Sequence, residues 1–161
     1  LLHHHETNRE GLETIRKLIK GIDTAMLTTV TDEGVVSRPM KTQDVEFDGD
    51  IWFLTKKDTS KYHELLHNAK VNVAYADKSY VSISGTAEIV QSREKVKEFW
   101  NPVYEKMLET SWDDPNIVLI KIKAETAEYW ESGSLIKQAK FLFEKLTGKE
   151  TESKLNDTVR L

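Results

Sequence analysis

Between Thr55 and Lys61 the chain gathers three hydroxyls and three lysines: Thr55, Thr59 and Ser60 with Lys56, Lys57 and Lys61. They follow the apolar run Ile51-Trp52-Phe53-Leu54, and Ile51 to Thr55 reads as a buried strand. Asp58, Thr59 or Ser60 can cap a following helix whose apolar positions are Tyr62, Leu65, Leu66 and Ala69. A helix N-terminus with free backbone amides, hydroxyl donors and a lysine suits a phosphate group. The same residues also make an ordinary solvated turn between a strand and a helix. The stretch alone leaves both readings open.

Little else in the chain is equipped for catalysis. There is no cysteine, which excludes disulfides, thiolate zinc sites, cysteine nucleophiles and iron–sulfur clusters. His63 and His67 stand one helical turn apart, but no carboxylate motif completes a set, so no metal site is expected. No serine–histidine–acid set, carboxylate pair or glycine-rich phosphate loop stands out. Any chemistry would therefore be carried by a cofactor, with the protein supplying position and electrostatics.

The 161 residues suit one domain with a real core. A formal charge of −4, with both signs well mixed, disfavours a nucleic-acid partner. No apolar segment is long enough to span a bilayer and no secretory signal is visible, so no membrane partner and a cytoplasmic location are expected. Residues 1–7, with three consecutive histidines, read as a tag remnant or frayed terminus and carry no metal argument. The domain is expected over 8–148, with a loose polar tail over 149–161.

The elements follow from periodicity. Leu12, Ile15, Leu18, Ile19 and Ile22 predict a helix over 8–22, capped by Thr7 or Asn8. Thr24–Thr31, Val35–Phe47 and Ile51–Thr55 predict a three-stranded meander with glycine turns at Gly34 and Gly49. A helix over 60–68 leads to strands at Val71–Ala76 and Tyr80–Val90, with Gly85 marking a bulge or bend. Helices are expected at Ser92–Trp100 and Val103–Leu108, strands at Ile117–Ile122 and Thr126–Glu131, and a last helix at Leu135–Leu146. This pattern is mainly β with flanking helices and suits a small barrel, although it does not separate a barrel from a sandwich.

Several segments in order carry a more specific likeness. They are Met26-Leu27-Thr28-Thr29-Val30, Ser37-Arg38-Pro39-Met40, Trp52-Phe53-Leu54-Thr55, Ser60-Lys61 and Val71-Asn72-Val73-Ala74-Tyr75. Tyr80-Val81-Ser82-Ile83-Ser84-Gly85-Thr86-Ala87-Glu88, Trp100-Asn101-Pro102, Asp113-Asp114-Pro115 and Glu128-Tyr129-Trp130 complete them. Over roughly residues 10 to 135 the chain resembles the flavin-binding split-barrel family related to pyridoxamine 5'-phosphate oxidase, and within it the bacterial general stress protein 26 group.

The resemblance implies a six-stranded FMN-binding split β-barrel and a homodimer with FMN at its interface. It implies that Arg38, Pro39 and Met40 run under the flavin and that Phe53, Leu54 and Thr55 contact the cofactor. It places Lys61 at the phosphate, with Ser60 standing where the family has an arginine and offering only its hydroxyl, and Trp130 near the ring. It points to an FMN-dependent oxidoreductase with a small-molecule redox partner and a role in stress response. The alternatives are a non-catalytic flavin carrier or sensor, or a barrel dimer for haem or a deazaflavin. Three further departures stand out. Asn101 stands where the oxidases place a substrate-binding arginine. Ser132 to Lys137 stand where they place an arginine and a histidine, and Tyr80 replaces a loop glutamine. Pyridoxamine phosphate oxidation is therefore not expected.

Overall fold

A computed structural model describes residues 2–43, 46–131 and 156–160. The chain begins with helix α1 (Leu2–Ile19), which buries Ile15 and packs Leu12, Leu18 and Ile19 against the barrel interior. It ends three residues before the predicted Ile22. Gly21 takes φ 80°, a left-handed conformation that glycine adopts without a Cβ penalty, and turns the chain into the sheet.

Strands β1 (Thr24–Thr31) and β2 (Gly34–Lys41) form a hairpin closed by Gly34 at φ 134°. The predicted strand from Val35 to Phe47 is thus shorter, because the chain leaves the sheet after Lys41. Strand β3 (Asp50–Lys56) does not continue a meander: it pairs with β6 at the far side of the sheet. The connection from Thr42 to Gly49 is too long for a tight hairpin.

Helix α2 (Ser60–His67) returns the chain to β4 (Lys70–Ala76), which pairs with β1 and with β5 (Ser79–Val90). Helices α3 (Arg93–Phe99) and α4 (Pro102–Leu108) are capped by Ser92 and Asn101, whose side chains accept from Lys95 N and Val103 N. The long strand β6 (Ile117–Glu131) replaces the two short strands predicted there. Within the tail, Asn156–Arg160 forms β7 on the edge of β6, where no element was predicted. The predicted Leu135–Leu146 helix lies outside the described residues.

The strand order is β2-β1-β4-β5-β6-β3, antiparallel throughout, and this six-stranded sheet curls into a split barrel. Its two end strands, β2 and β3, do not pair with one another, which is the split. The inner face holds Ala25, Leu27, Phe53, Val73, Ile83, Ile120 and Ile122, all buried. A second cluster on the outer face of β3 and β6 joins Leu54, Ile117 and Leu119 to Val96, Phe99 and Tyr104 of α3 and α4. The run Ile117-Val118-Leu119-Ile120 is continuously apolar because this part of β6 is buried on both faces.

The bend needed for closure sits where the register of β5 and β6 shifts, between Ser84 and Gly85. A Cβ on Gly85 would lie 2.2 Å from the Lys123 carbonyl oxygen, so only glycine admits this approach.

Candidate functional site

Helix α2 and the β1–β2 hairpin bring together polar groups that are separate in the sequence. Thr29 on β1 and Arg38 on β2 lie on the inner face, near the end of the barrel that α2 covers. The Arg38 Nη2 donates to Thr29 Oγ1 at 2.9 Å and to Glu64 Oε2 at 2.8 Å. Thr29 Oγ1 donates to the same carboxylate oxygen at 2.7 Å. Nη1 reaches the Leu27 carbonyl at 3.4 Å. The ionic pair is mostly withdrawn from water, with the Arg38 and Glu64 side chains 19% and 20% exposed.

Lys61 lies on the same helix, one turn before Glu64. Its pKa is held below the usual lysine range, first by burial and then by the positive charge of Arg38, while Asp58 and Glu64 pull it back up. Two cations thus converge here with one nearby carboxylate on α2. At the end of β3 the buried Thr55 hydroxyl lies 3.3 Å from Thr59 Oγ1, and Thr59 Oγ1 donates to the Lys56 carbonyl at 2.8 Å. Thr59 occupies the N-cap position of α2 without a side-chain capping bond. First-turn amides of a helix have no intrahelical partner, so those of α2 remain available as donors.

The other residues singled out in the sequence divide sharply. Phe53 is fully buried in the barrel interior, Leu54 in the outer cluster, and Met40 lines the inner core. At those positions a ligand can meet only main chain. Pro39 and Ser60 are exposed. Trp130 is 38% exposed and lies on the outer face of β6, opposite Tyr80 of β5. Within one chain it is therefore not gathered with Arg38, which faces inward.

Thr29 and Glu64 were not singled out in the sequence. Thr29 carried a signal, since it is a hydroxyl in the buried alternation Ala25, Leu27, Thr29. Glu64 stands three residues after Lys61 and looks like any polar helix position until β1 and β2 come beneath it.

At the opposite end, a cavity of about 800 Å³ opens between α1 and the connection after β2. Lys41, Gln43, Trp52, Tyr75 and Asn101 are among the residues lining it. Gln43 Nε2 donates to the Tyr104 hydroxyl at 2.6 Å, and burial pushes the Tyr104 pKa up to about 12 against the opposing pull of that bond. Asn101 is explained locally: its Oδ1 accepts from Val103 N at 2.9 Å, and Pro102 follows at the first helical position of α4. Among the described residues no three metal-ligating side chains come together, and no helix is long and apolar enough to cross a membrane.

Residues 10–152 match the family described as pyridoxamine 5'-phosphate oxidase like. The chain belongs to that family. It is 29% identical over 90 residues to general stress protein 26 of Bacillus subtilis (strain 168), a match covering 52% of this chain and 63% of that protein.

Among solved structures, general stress protein 26 of Bacillus anthracis str. Sterne is 28% identical with a TM-score of 0.67, covering 74% of this chain and 93% of that one. The general stress FMN/FAD binding protein of Xanthomonas citri is 30% identical with a TM-score of 0.66, covering 78% of this chain and 92% of that one. The curled sheet with flanking helices is thus the split barrel of the general stress protein 26 group.

Proposed function

We propose that this chain is an FMN-binding flavoprotein that works as a homodimer, with the flavin lying along the split between β2 and β3. The observation that carries the reading is the convergence of Arg38 and Lys61 with the Thr55 hydroxyl and the open first turn of α2. A phosphate dianion fits this donor set: a guanidinium, an ammonium, hydroxyls and free amides. The flavin-binding relative from Xanthomonas citri supports the cofactor class.

Arg38, Thr55, Ser60 and Lys61 would hold the phosphate. Pro39 and Met40 would present strand backbone to the ring, as would Phe53 and Leu54, whose side chains are committed to the cores. Bound there, the flavin would supply hydride or electron transfer with a small-molecule redox partner. The chain's own residues position it and exclude water. This makes the protein a flavin-dependent oxidoreductase, with a stress-response role in line with its relatives and a cytoplasmic location.

The dimer is supported by the outer face of the sheet. Met26 and Val30 of β1, Val35 of β2, Tyr80 of β5 and Trp130 of β6 all point outward and are 38% to 69% exposed. Apolar groups spread over one sheet face mark an interaction surface. A second subunit on this face would cover Trp130 and bring the partner's copy of that ring toward the split.

The absorption spectrum of the freshly purified protein, with mass identification of any released cofactor, tests the reading. A flavin spectrum and the mass of FMN are expected, or saturable FMN binding if the protein emerges colourless. A haem or deazaflavin spectrum would overturn it. Reduction of bound FMN by a nicotinamide donor separates an oxidoreductase from a carrier.

A further inference from the structure

We infer that Glu64 is the positioning residue of the phosphate site: through Thr29 and Arg38 it fixes the guanidinium in a binding geometry before any flavin arrives. This rests on the flavin reading above and adds to it a residue that touches no part of the cofactor.

Three observations carry it. First, one carboxylate oxygen, Glu64 Oε2, receives both the Arg38 Nη2 at 2.8 Å and the Thr29 hydroxyl at 2.7 Å, and Nη2 also lies 2.9 Å from that hydroxyl. The three groups close a triangle, which an opportunistic surface pair does not. Second, the Leu27 carbonyl meets Nη1 at 3.4 Å, so the plane of the guanidinium is set from two sides. These contacts engage Nη1 and Nη2, and a guanidinium has five N–H donors. Third, the clamp ties the β1–β2 hairpin to helix α2, a separate element further along the chain, and α2 also carries Lys61.

A long, flexible side chain that is already immobilised loses less entropy on binding. Without Glu64, Arg38 would be repelled by Lys61 and free to swing into the solvent of the open split. The carboxylate also opposes phosphate electrostatically. Its charge and its geometry thus act in opposite directions, and substitutions can separate them.

Glu64→Gln keeps an amide oxygen able to accept from Thr29 and Arg38 but removes the charge. Glu64→Ala removes both. Affinities for FMN and for riboflavin, which lacks the phosphate, are measured by fluorescence quenching. Glu64→Gln is expected to bind FMN at least as tightly as wild type, and Glu64→Ala about tenfold more weakly, the scale of one charge-assisted hydrogen bond. Thr29→Val should fall between them, and riboflavin affinity should not change in any variant.

In the Arg38→Ala background Glu64→Ala should add nothing, because its partner is gone. In the flavin-free protein, 15N NMR should show slow rotation of the Arg38 guanidinium that Glu64→Gln retains and Glu64→Ala loses. Unchanged or tighter FMN binding in Glu64→Ala would show that the carboxylate only competes with phosphate. Equal weakening of both flavins would show that it merely supports the fold. Free rotation of Arg38 in the wild-type protein overturns the inference whether or not flavin binds. Failure of the wild type to bind either flavin would instead remove the flavin reading itself, and this role with it.

Discussion

Replacing Lys61 by alanine should weaken FMN binding without weakening the fold. A hydrogen bond to a charged group contributes about 1.5–3 kcal/mol, so the dissociation constant should rise about 10- to 150-fold. The stability side follows from the lysine's surroundings. Burial and the Arg38 charge hold its pKa below 10.5 in the folded protein. The folded state therefore binds fewer protons than the unfolded chain between the lowered pKa and 10.5, and through that window stability rises with pH. Below that window the charged group carries its full desolvation penalty. Lys61→Ala removes that penalty, so the flavin-free variant should melt at or above the wild-type temperature while binding FMN less well. Such a trade-off marks residues kept for binding rather than for folding. Isothermal titration with FMN and thermal melts of the flavin-free protein give both numbers. Unchanged FMN affinity in both Lys61→Ala and Arg38→Ala would refute the placement of the phosphate. A Lys61→Ala variant that melts well below wild type would refute the stability argument.

Gly85→Ala should cost about 2–4 kcal/mol, because its Cβ would sit 2.2 Å from the Lys123 carbonyl oxygen and force the β5–β6 backbone apart; a loss under about 0.5 kcal/mol in urea unfolding would contradict the close approach. Trp130→Glu places a charge on the exposed apolar face and should shift the protein toward monomer with loss of FMN; a wild-type monomer at micromolar concentration that still holds FMN, seen by sedimentation velocity, would sink the shared-site reading. The FMN-loaded protein should not turn over pyridoxamine 5'-phosphate, since Asn101 offers neutral donors and caps α4 where an arginine would supply charge; formation of pyridoxal 5'-phosphate at rates typical of a dedicated enzyme would show the inference to be wrong.

Much of the sheet was legible because its signals are local. Thr24–Thr31 alternates cleanly with one face buried, and its bounds in the structure match the predicted ones. Gly85 announced a bend that the register shift confirms. The errors arose where pairing is decided at long range. A glycine turn at Gly49 suggested that β3 would fold back on β2. The turn exists, with Gly49 at φ 111°, yet β3 finds its partner in Ile117–Lys123, more than sixty residues away. Nothing in the spacing of Val35 to Phe47 says that the strand stops at Lys41, because no glycine or proline follows that residue before Asp48.

The candidate site shows the same division more sharply. Lys61 and the hydroxyls around it are visible in seven consecutive residues because one turn holds them. The Thr29–Arg38–Glu64 triangle is spread over 36 positions and exists only once β1, β2 and α2 are assembled. Resemblance to a family finds residues that touch a cofactor, because those recur as motifs. It does not find a carboxylate that acts one contact further out, where Glu64 is an ordinary helix residue by type and by spacing. A buried hydroxyl on an otherwise apolar strand face is the signal that could have pointed there. Thr29 needs a partner inside the barrel, and a partner that also meets Arg38 must come from whatever element covers that end. The chain's only connection between β3 and β4 is α2, so that requirement leads from a single threonine in β1 to a carboxylate on the helix that also carries Lys61.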